Sequence, residues 1–387
     1  MTVATSSPGA RAPDAVERPV STEEVADLMA WATAEGVGVL PVGSGRRARP
    51  VVGEGRYILL RTDGLAGIDH YEAADLTLAA GAGTPVRTVT DALAANDQWA
   101  PFDPPFVDQR TLGGFVALGE SGPLQTGYGA LRNHVLGMTV VTGDGRVVRL
   151  GGRVVKNVAG YDLLKAVIGS RGSLAVITSV VLRAFPVPPV DRVLVLEGRS
   201  MAHLLDMAQR VGTAPVLPVS TVIVDSLAEA GGRPALVLRL HGAAETVDAD
   251  RATLETHTDA TFQRHDHLDL AAVRDHAGEG EAIIVATARP SRLTTVVEAM
   301  GALEPTGLFI DPYTGRVRAA AALPDLEVVG EVRTRIESAD GALRLDAPKL
   351  DGEAWRQGTR PSAGEATIID GLRTAFDPGG VLWPARR

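Results

Sequence analysis

The stretch that decides the reading runs from Asp103 to Thr178. It contains Asp103-Pro104-Pro105, Thr111-Leu112-Gly113-Gly114, Ser121-Gly122-Pro123, Tyr128-Gly129 and the run KNVAGYDLLKAVIGSRGSLAVIT at 156–178. Apolar runs separate the glycines. A segment so dense in glycine is expected to bring backbone close to something that is not protein. Backbone N–H groups without Cβ obstruction line phosphate oxygens and planar rings well, so a phosphate-bearing cofactor is the expected neighbour.

Upstream, Ser21 and Glu24 form a capping box, Val20 and Val25 occupy the staple positions, and Gly36 follows the periodic segment. These signals predict a helix from Ser21 to Glu35. A strand, Val37 to Val42, then runs into Gly43-Ser44-Gly45-Arg46-Arg47-Ala48. The letters match a G-x-G-x-x-A dinucleotide fingerprint. That motif must open a helix, however, whereas Pro50 and Gly53 break the chain and a further strand is expected at Tyr57 to Leu60. What remains is a glycine turn carrying two arginines. Taken alone, it fits a diphosphate cradle and an ordinary hairpin with solvated arginines equally.

Further along, Asp75 to Ala80 reads as a half-buried strand, and Thr84-Pro85 as the start of a helix reaching Ala95. Met138 to Thr142 and Arg146 to Leu150 flank Gly143-Asp144-Gly145 as a hairpin. Leu163 to Ile168 is expected to be a short helix and Leu174 to Arg183 a buried strand. The joint Phe185-Pro186-Val187-Pro188-Pro189 reads as a domain boundary.

The chain has 387 residues, 45% of them apolar, which suits two cores. Its net charge of −9 argues against a nucleic-acid partner or an anionic membrane surface. With no cysteine, this chain's own thiolates supply neither a disulfide, nor a flavin link, nor an iron–sulfur cluster. No apolar run has the length of a membrane span, and the N-terminus lacks the pattern of a signal peptide. The expected compartment is the cytoplasm. The Ala/Ser/Pro-rich residues 1–17 are expected to be a disordered tail.

The pieces PVGSGRR, GAGTPV, QWAPFDPP, TLGGFVALGESGP, YGALRNHVLGM, GGRVVKNVAGYDL and GSRGSLAVIT, in this order, resemble the FAD-binding domain of the vanillyl-alcohol oxidase/PCMH flavoproteins. Within that superfamily the likeness is greatest to the smaller flavin subunit of bacterial glycolate oxidase. The resemblance implies an α+β fold: a two-part PCMH-type FAD-binding domain with mixed sheets at 18–189, a smaller α+β cap at 190–355, and a segment, 356–387, that returns to the first domain. It also implies a pyrophosphate loop at Gly43, Ser44, Gly45, Arg46 and Arg47. Further FAD contacts are implied at Pro104, Thr111, Leu112, Gly113, Gly114, Ser121, Gly122, Tyr128 and Gly129, with the adenine end near Gly172 and Ile177. No histidine lies between Gly36 and Asp69, so the flavin is expected to be noncovalent.

The cap alternates strand-like runs (Val193 to Leu196, Val219 to Val224, Ala235 to Leu240, Ile283 to Ala286) with helical segments. Its histidines His257, His265, His267 and His276 include one close pair, which a solvated loop explains better than a metal. Nothing in this half resembles the HxGDGNxH segment that supplies the base in the larger catalytic relatives. His134, His241 and Tyr313 are candidates for a base, and none is assigned. The closing Phe376-Asp377-Pro378-Gly379-Gly380-Val381-Leu382-Trp383-Pro384-Ala385-Arg386 resembles the family's FDPxGxxNPGR ending, with Trp383 and Ala385 departing from it. The expected activity is that of an FAD-binding oxidoreductase subunit working beside a larger flavin subunit and an iron–sulfur subunit on a small 2-hydroxy acid. A self-sufficient hydroxy-acid oxidoreductase and a flavin-free scaffold are the alternatives.

Overall fold

The structure, a computed structural model, describes residues 10–45, 51–52, 55–152, 162–346 and 363–382. The chain folds as α+β, with a first half built on two sheets and a second half built on one. Ala15–Glu17, Tyr57–Arg61 and Gly38–Val42 form a three-stranded parallel sheet in that order. The helix Thr22–Glu35 packs on it through Val25, Met29 and Ala32. Ser21 Oγ accepts the Glu24 N–H, Glu24 Oε2 accepts the Val20 N–H, and Gly36 closes the helix at φ +63°. The Ser21 half of the predicted capping box is thus made, while Glu24 reaches past Ser21 to the preceding N–H.

Two expectations need correction here. Residues 10–17 are not a free tail among the described residues. Ala10–Arg11 pairs with Val51–Val52, Ala15–Glu17 pairs with Tyr57–Arg61, and Tyr57 Oη donates to Arg11 O. An edge of exposed N–H and C=O groups on the parallel sheet overrides the weak composition signal. The hairpin alternative for the Gly43 turn also fails. Its flanking strands lie side by side but parallel, so the connection between them is a crossover.

The second sheet of this half has the order Val147–Gly151, Val135–Thr142, Ala175–Arg183, Thr77–Gly81, Ile68–Glu72, and all its pairs are antiparallel. Helices Val86–Ala94 and Leu112–Leu118 cover it, with Val89, Leu93, Leu112 and Phe115 in the core. Thr84 does not cap the first of these; its hydroxyl bonds to Gly67 instead. Leu112–Leu118 was not foreseen, because Gly113-Gly114 reads as loop.

The second half is an eight-stranded antiparallel sheet. Its order is Gln263–Arg264, Val190–Glu197, Arg233–Gly242, Ser220–Leu227, Gly307–Asp311, Arg316–Ala321, Ala282–Thr287, Ala342–Asp346. Helices Met201–Gly212, Ala244–Thr258, Leu293–Gly301 and Leu326–Glu337 bury one face of it, with Leu204, Leu254, Val296 and Val332 in a common core. The other face carries polar side chains among its valines and meets the segment 103–129 of the first half. The helix Ala363–Phe376 then leads back: Gly143 N donates to Phe376 O, Val39 N donates to Val381 O, and Val39 bridges Leu382 in parallel. Asp377 accepts the N–H groups of Val381 and Leu382, which fixes that return.

Candidate functional site

The strand Gly38–Val42 ends at the Gly43-Ser44-Gly45 turn. A Cβ on Gly43 would lie 2.1 Å from Thr111 Oγ1, so the turn rests directly on the start of the helix Leu112–Leu118. Thr111, 6% exposed, accepts the Gly114 N–H. Gly45 sits at φ +76°. The N–H groups of Gly43, Ser44 and Gly45 are spent on no described residue. N–H groups at a glycine turn beside a helix N-terminus have the chemistry to receive an anion such as a diphosphate. Gly172, at φ +79°, packs near Pro41 on the strand that feeds this turn. Arg46 and Arg47 lie outside the described residues, as do Trp383 and Ala385.

Elsewhere the glycine density has another cause. The Cβ positions of Gly113, Gly119 and Gly122 meet Ala82, Gly169 and the Asp103 carbonyl at 2.6, 2.7 and 1.9 Å. At these positions the close neighbour is the chain itself. Leu112 and Ile177 bury their side chains in the core. The N–H groups of Leu112 and Gly113 donate to Thr84 and Ala82 carbonyls, so only Gly114 of this group has space on its Cβ side beyond Thr111. Ser121 Oγ accepts the Leu131 N–H, and Gly129, at φ +89°, closes the short helix Gln125–Tyr128. Pro104 is buried beside Asp103. Asp103 Oδ1 accepts the Leu124 N–H, yet burial pushes the Asp103 carboxyl up to about 6.

The seam between the halves brings together Tyr128 and His241, singled out separately in the sequence, with Asp191, which was not. Tyr128 Oη lies 2.7 Å from His241 Nδ1, and His241 Nε2 lies 3.1 Å from Asp191 Oδ1. Burial raises the Asp191 carboxyl, but His241 and Arg239 outweigh it and hold the group well below the usual carboxylate range. An ionised Asp191 favours a proton on Nε2, which leaves Nδ1 to accept the Tyr128 hydroxyl. The Tyr128 ring meets Trp99 and Phe185 edge-on, at 5.3 and 5.7 Å. The other two base candidates are structural. His134, 1% exposed, holds the Gly129 carbonyl, and burial lowers its pKa. Tyr313 donates to Ala208 O on the helix-covered side, and burial pushes it up to about 12. The alternation of Asp191 with Val193 and of Arg239 with His241 along their strands was a usable signal; the pairing across strands was not. In the cap, His276 pairs with Asp225, and His257 with Thr213.

A parallel sheet and an antiparallel sheet in the first half, with one large antiparallel sheet in the second, make a two-part α+β class. Residues 13–151 match a family described as an FAD binding domain. Glycolate oxidase subunit GlcE of Escherichia coli (strain K12) is 42% identical over 123 residues, 32% of this chain and 35% of that one. Glycolate oxidase subunit GlcD of Bacillus subtilis (strain 168) is 25% identical over 322 residues, 80% of this chain and 66% of that one. An alkyldihydroxyacetonephosphate synthase structure superposes with a TM-score of 0.72 at 16% identity, covering 96% of this chain and 77% of that one. Residues 13–151 therefore carry the likeness to an FAD binding domain, and the chain shares its fold with the alkyldihydroxyacetonephosphate synthase structure. It spans about a third to two thirds of the length of these curated relatives. No helix among the described residues is long and apolar enough to cross a membrane.

Proposed function

We propose that the chain is an FAD-binding oxidoreductase subunit of a glycolate-oxidase-like complex, holding noncovalent FAD and acting in the cytoplasm beside a larger flavin subunit and an iron–sulfur subunit. The observation that carries this reading is the glycine turn at Gly43, Ser44 and Gly45, whose N–H groups are spent on no described residue, inside a region that matches the FAD binding domain family. The 42% identical stretch to a glycolate oxidase subunit supports the complex. In this reading the turn holds the diphosphate, Thr111 fixes the turn, and the cap's polar face excludes water from the seam. Bound FAD supplies a two-electron acceptor for a 2-hydroxy acid. With no cysteine in this chain, a cluster that forwards electrons belongs to a partner.

One observation favours a self-sufficient enzyme instead. Tyr128 is hydrogen-bonded to His241, whose other ring nitrogen lies 3.1 Å from Asp191, and such a set of groups can take up the proton of a hydroxyl oxidation. The two readings separate on activity. The purified chain is expected to be yellow, to release FAD on denaturation, and to oxidise glycolate or lactate with a dye acceptor only at background rate. Turnover is expected to appear when the two partner subunits are added. Turnover by the isolated chain selects the self-sufficient reading, and a colourless protein that gains no flavin spectrum with FAD overturns both.

A further inference from the structure

The cap is docked through one segment of the first half. Phe106 N donates to Asp275 Oδ1 at 2.6 Å, Gln125 Nε2 to Asp311 Oδ2 at 3.3 Å and Gly127 N to Val219 O, while the Ser121 carbonyl accepts from Arg316. With the Tyr128–His241 bond, these contacts all fall within residues 106–128. Phe106 is held at φ +53°, a left-handed backbone that is costly for a phenylalanine, and the docked cap holds it there through Asp275.

Two carboxyls meet over one turn of that segment. Asp103, from the first half, accepts the Leu124 N–H; Asp311, from the cap, accepts the side-chain amide of the next residue, Gln125, and the Thr314 N–H. Asp311 is 3% exposed. The cations that face the two acids are engaged elsewhere. Arg239 pairs with Asp191, Arg274 pairs with Asp275 and Asp108, and Arg316, the cross-strand partner of Asp311, donates to the Ser121 carbonyl. From a distance Arg239 and Arg274 favour a charged Asp103, and Arg316 a charged Asp311, but burial outweighs them and both carboxyls hold their protons above the usual range. Asp311 adds to that effect on Asp103. Of the other titratable groups at the seam, Glu120 pairs with Arg110 and Arg344, His134 holds the Gly129 carbonyl, and His241 lies between Tyr128 and Asp191.

Opening the seam takes Gln125 away from Asp311 and returns both acids to water, which solvates carboxylates far better than the docked interior does. In the docked state a second negative charge has to enter the same dehydrated place as the first. We infer that the seam is a proton-controlled gate: the cap stays docked on residues 103–129 while Asp103 or Asp311 carries a proton, and it loosens there when both are ionised. Loosening uncovers Tyr128 and His241. The inference concerns the docking of the two halves and stands apart from the flavin reading, which the flavin spectrum of the same sample reports.

Hydrogen exchange followed by mass spectrometry on the full chain tests it, with each rate divided by that of the unfolded chain at the same pH. The divided rate in peptides covering 121–129 and 219–224 should rise at least tenfold from about pH 4.5 to about pH 7, while the helix Thr22–Glu35 changes less than twofold. In D103N and in D311N the rise should shrink at least threefold, and in the double variant it should vanish. A readout on the unaltered chain guards against misfolded variants: protonated-carboxyl infrared absorption should disappear between about pH 5 and pH 7, above the ordinary carboxylate range and in step with the exchange. A rise shared by Thr22–Glu35, equal exchange at both pH values, absence of the infrared loss, or a rise that survives in the folded double variant, as titration of His241 would give, overturns the gate.

Discussion

Changing Gly43 to Ala tests the contact on which the cradle depends. The added Cβ would sit 2.1 Å from Thr111 Oγ1 and 3.3 Å from Thr111 Cβ, and Thr111 is 6% exposed, so its hydroxyl has little room to rotate away. Forcing a methyl group into such a packed place costs about 1–3 kcal/mol. Displacing Oγ1 also removes the cap on the Gly114 N–H, worth about 1 kcal/mol. The sum is about 2–4 kcal/mol. It is borne as lost stability if the turn stays in place, or as lost FAD affinity if the turn moves off Thr111. Chemical denaturation of the FAD-free chain and titration with FAD therefore have to be measured together. The double variant G43A/T111A removes the clashing hydroxyl, so the two changes should couple by about 1–3 kcal/mol instead of adding. A combined loss for G43A under about 0.5 kcal/mol, or strict additivity in the cycle, refutes the contact between turn and helix as the element that shapes the cradle.

Two further outcomes follow from the seam. Asp103 holds its proton more tightly in the folded chain than in the unfolded one, so stability falls as pH rises from about 4 to about 6. D103N should remove that fall and be about 1–2 kcal/mol more stable than the parent at pH 7, with the difference gone near pH 4; equal stability at pH 7 counts against a strained buried carboxyl. Asp191 shows the opposite sign. Its depressed carboxyl stabilises the fold above its ordinary pKa near 4, and that contribution is lost as pH falls below it. D191N should cost about 1–2 kcal/mol at pH 7, after allowance for an Asp191 side chain that is 35% exposed, and should lose less than the parent on acidification; parallel pH curves would refute the pairing with Arg239 and His241.

Local signals carried much of the first half of the fold. The helix Thr22–Glu35 announced both caps within its own sequence, and the Gly143-Asp144-Gly145 turn, with Gly145 at φ +85°, lies where the hairpin pattern put it. Local sequence did not show strand direction: nothing in Gly38–Val42 or Tyr57–Arg61 says that they run parallel, since pairing is decided by the crossover between them. The glycine-rich stretch was legible as a zone of close approach but not as to what approaches, because Gly113, Gly119 and Gly122 are required by neighbouring chain. In the cap, Val190–Glu197, Ser220–Leu227, Arg233–Gly242 and Ala282–Thr287 were visible as apolar runs. Gly307–Asp311 and Ala342–Asp346 were not, being short strands recognisable only by their neighbours. The seam was the least legible part. Tyr128 and His241 are 113 residues apart, and only the docking of one half on the other makes them partners.

The bond from Val39 N–H to Val381 O has a consequence for how the protein is made. Val39 belongs to the strand that feeds the Gly43 turn, yet its partner is synthesised some 340 residues later, after the whole cap. A nascent chain emerging from the ribosome therefore completes the cap before the strand leading to the Gly43 turn has its second flank, the first being Tyr57–Arg61. A chain stalled short of Val381 is left with the Val39 side of that strand unpaired, held only by Tyr57–Arg61 on the other.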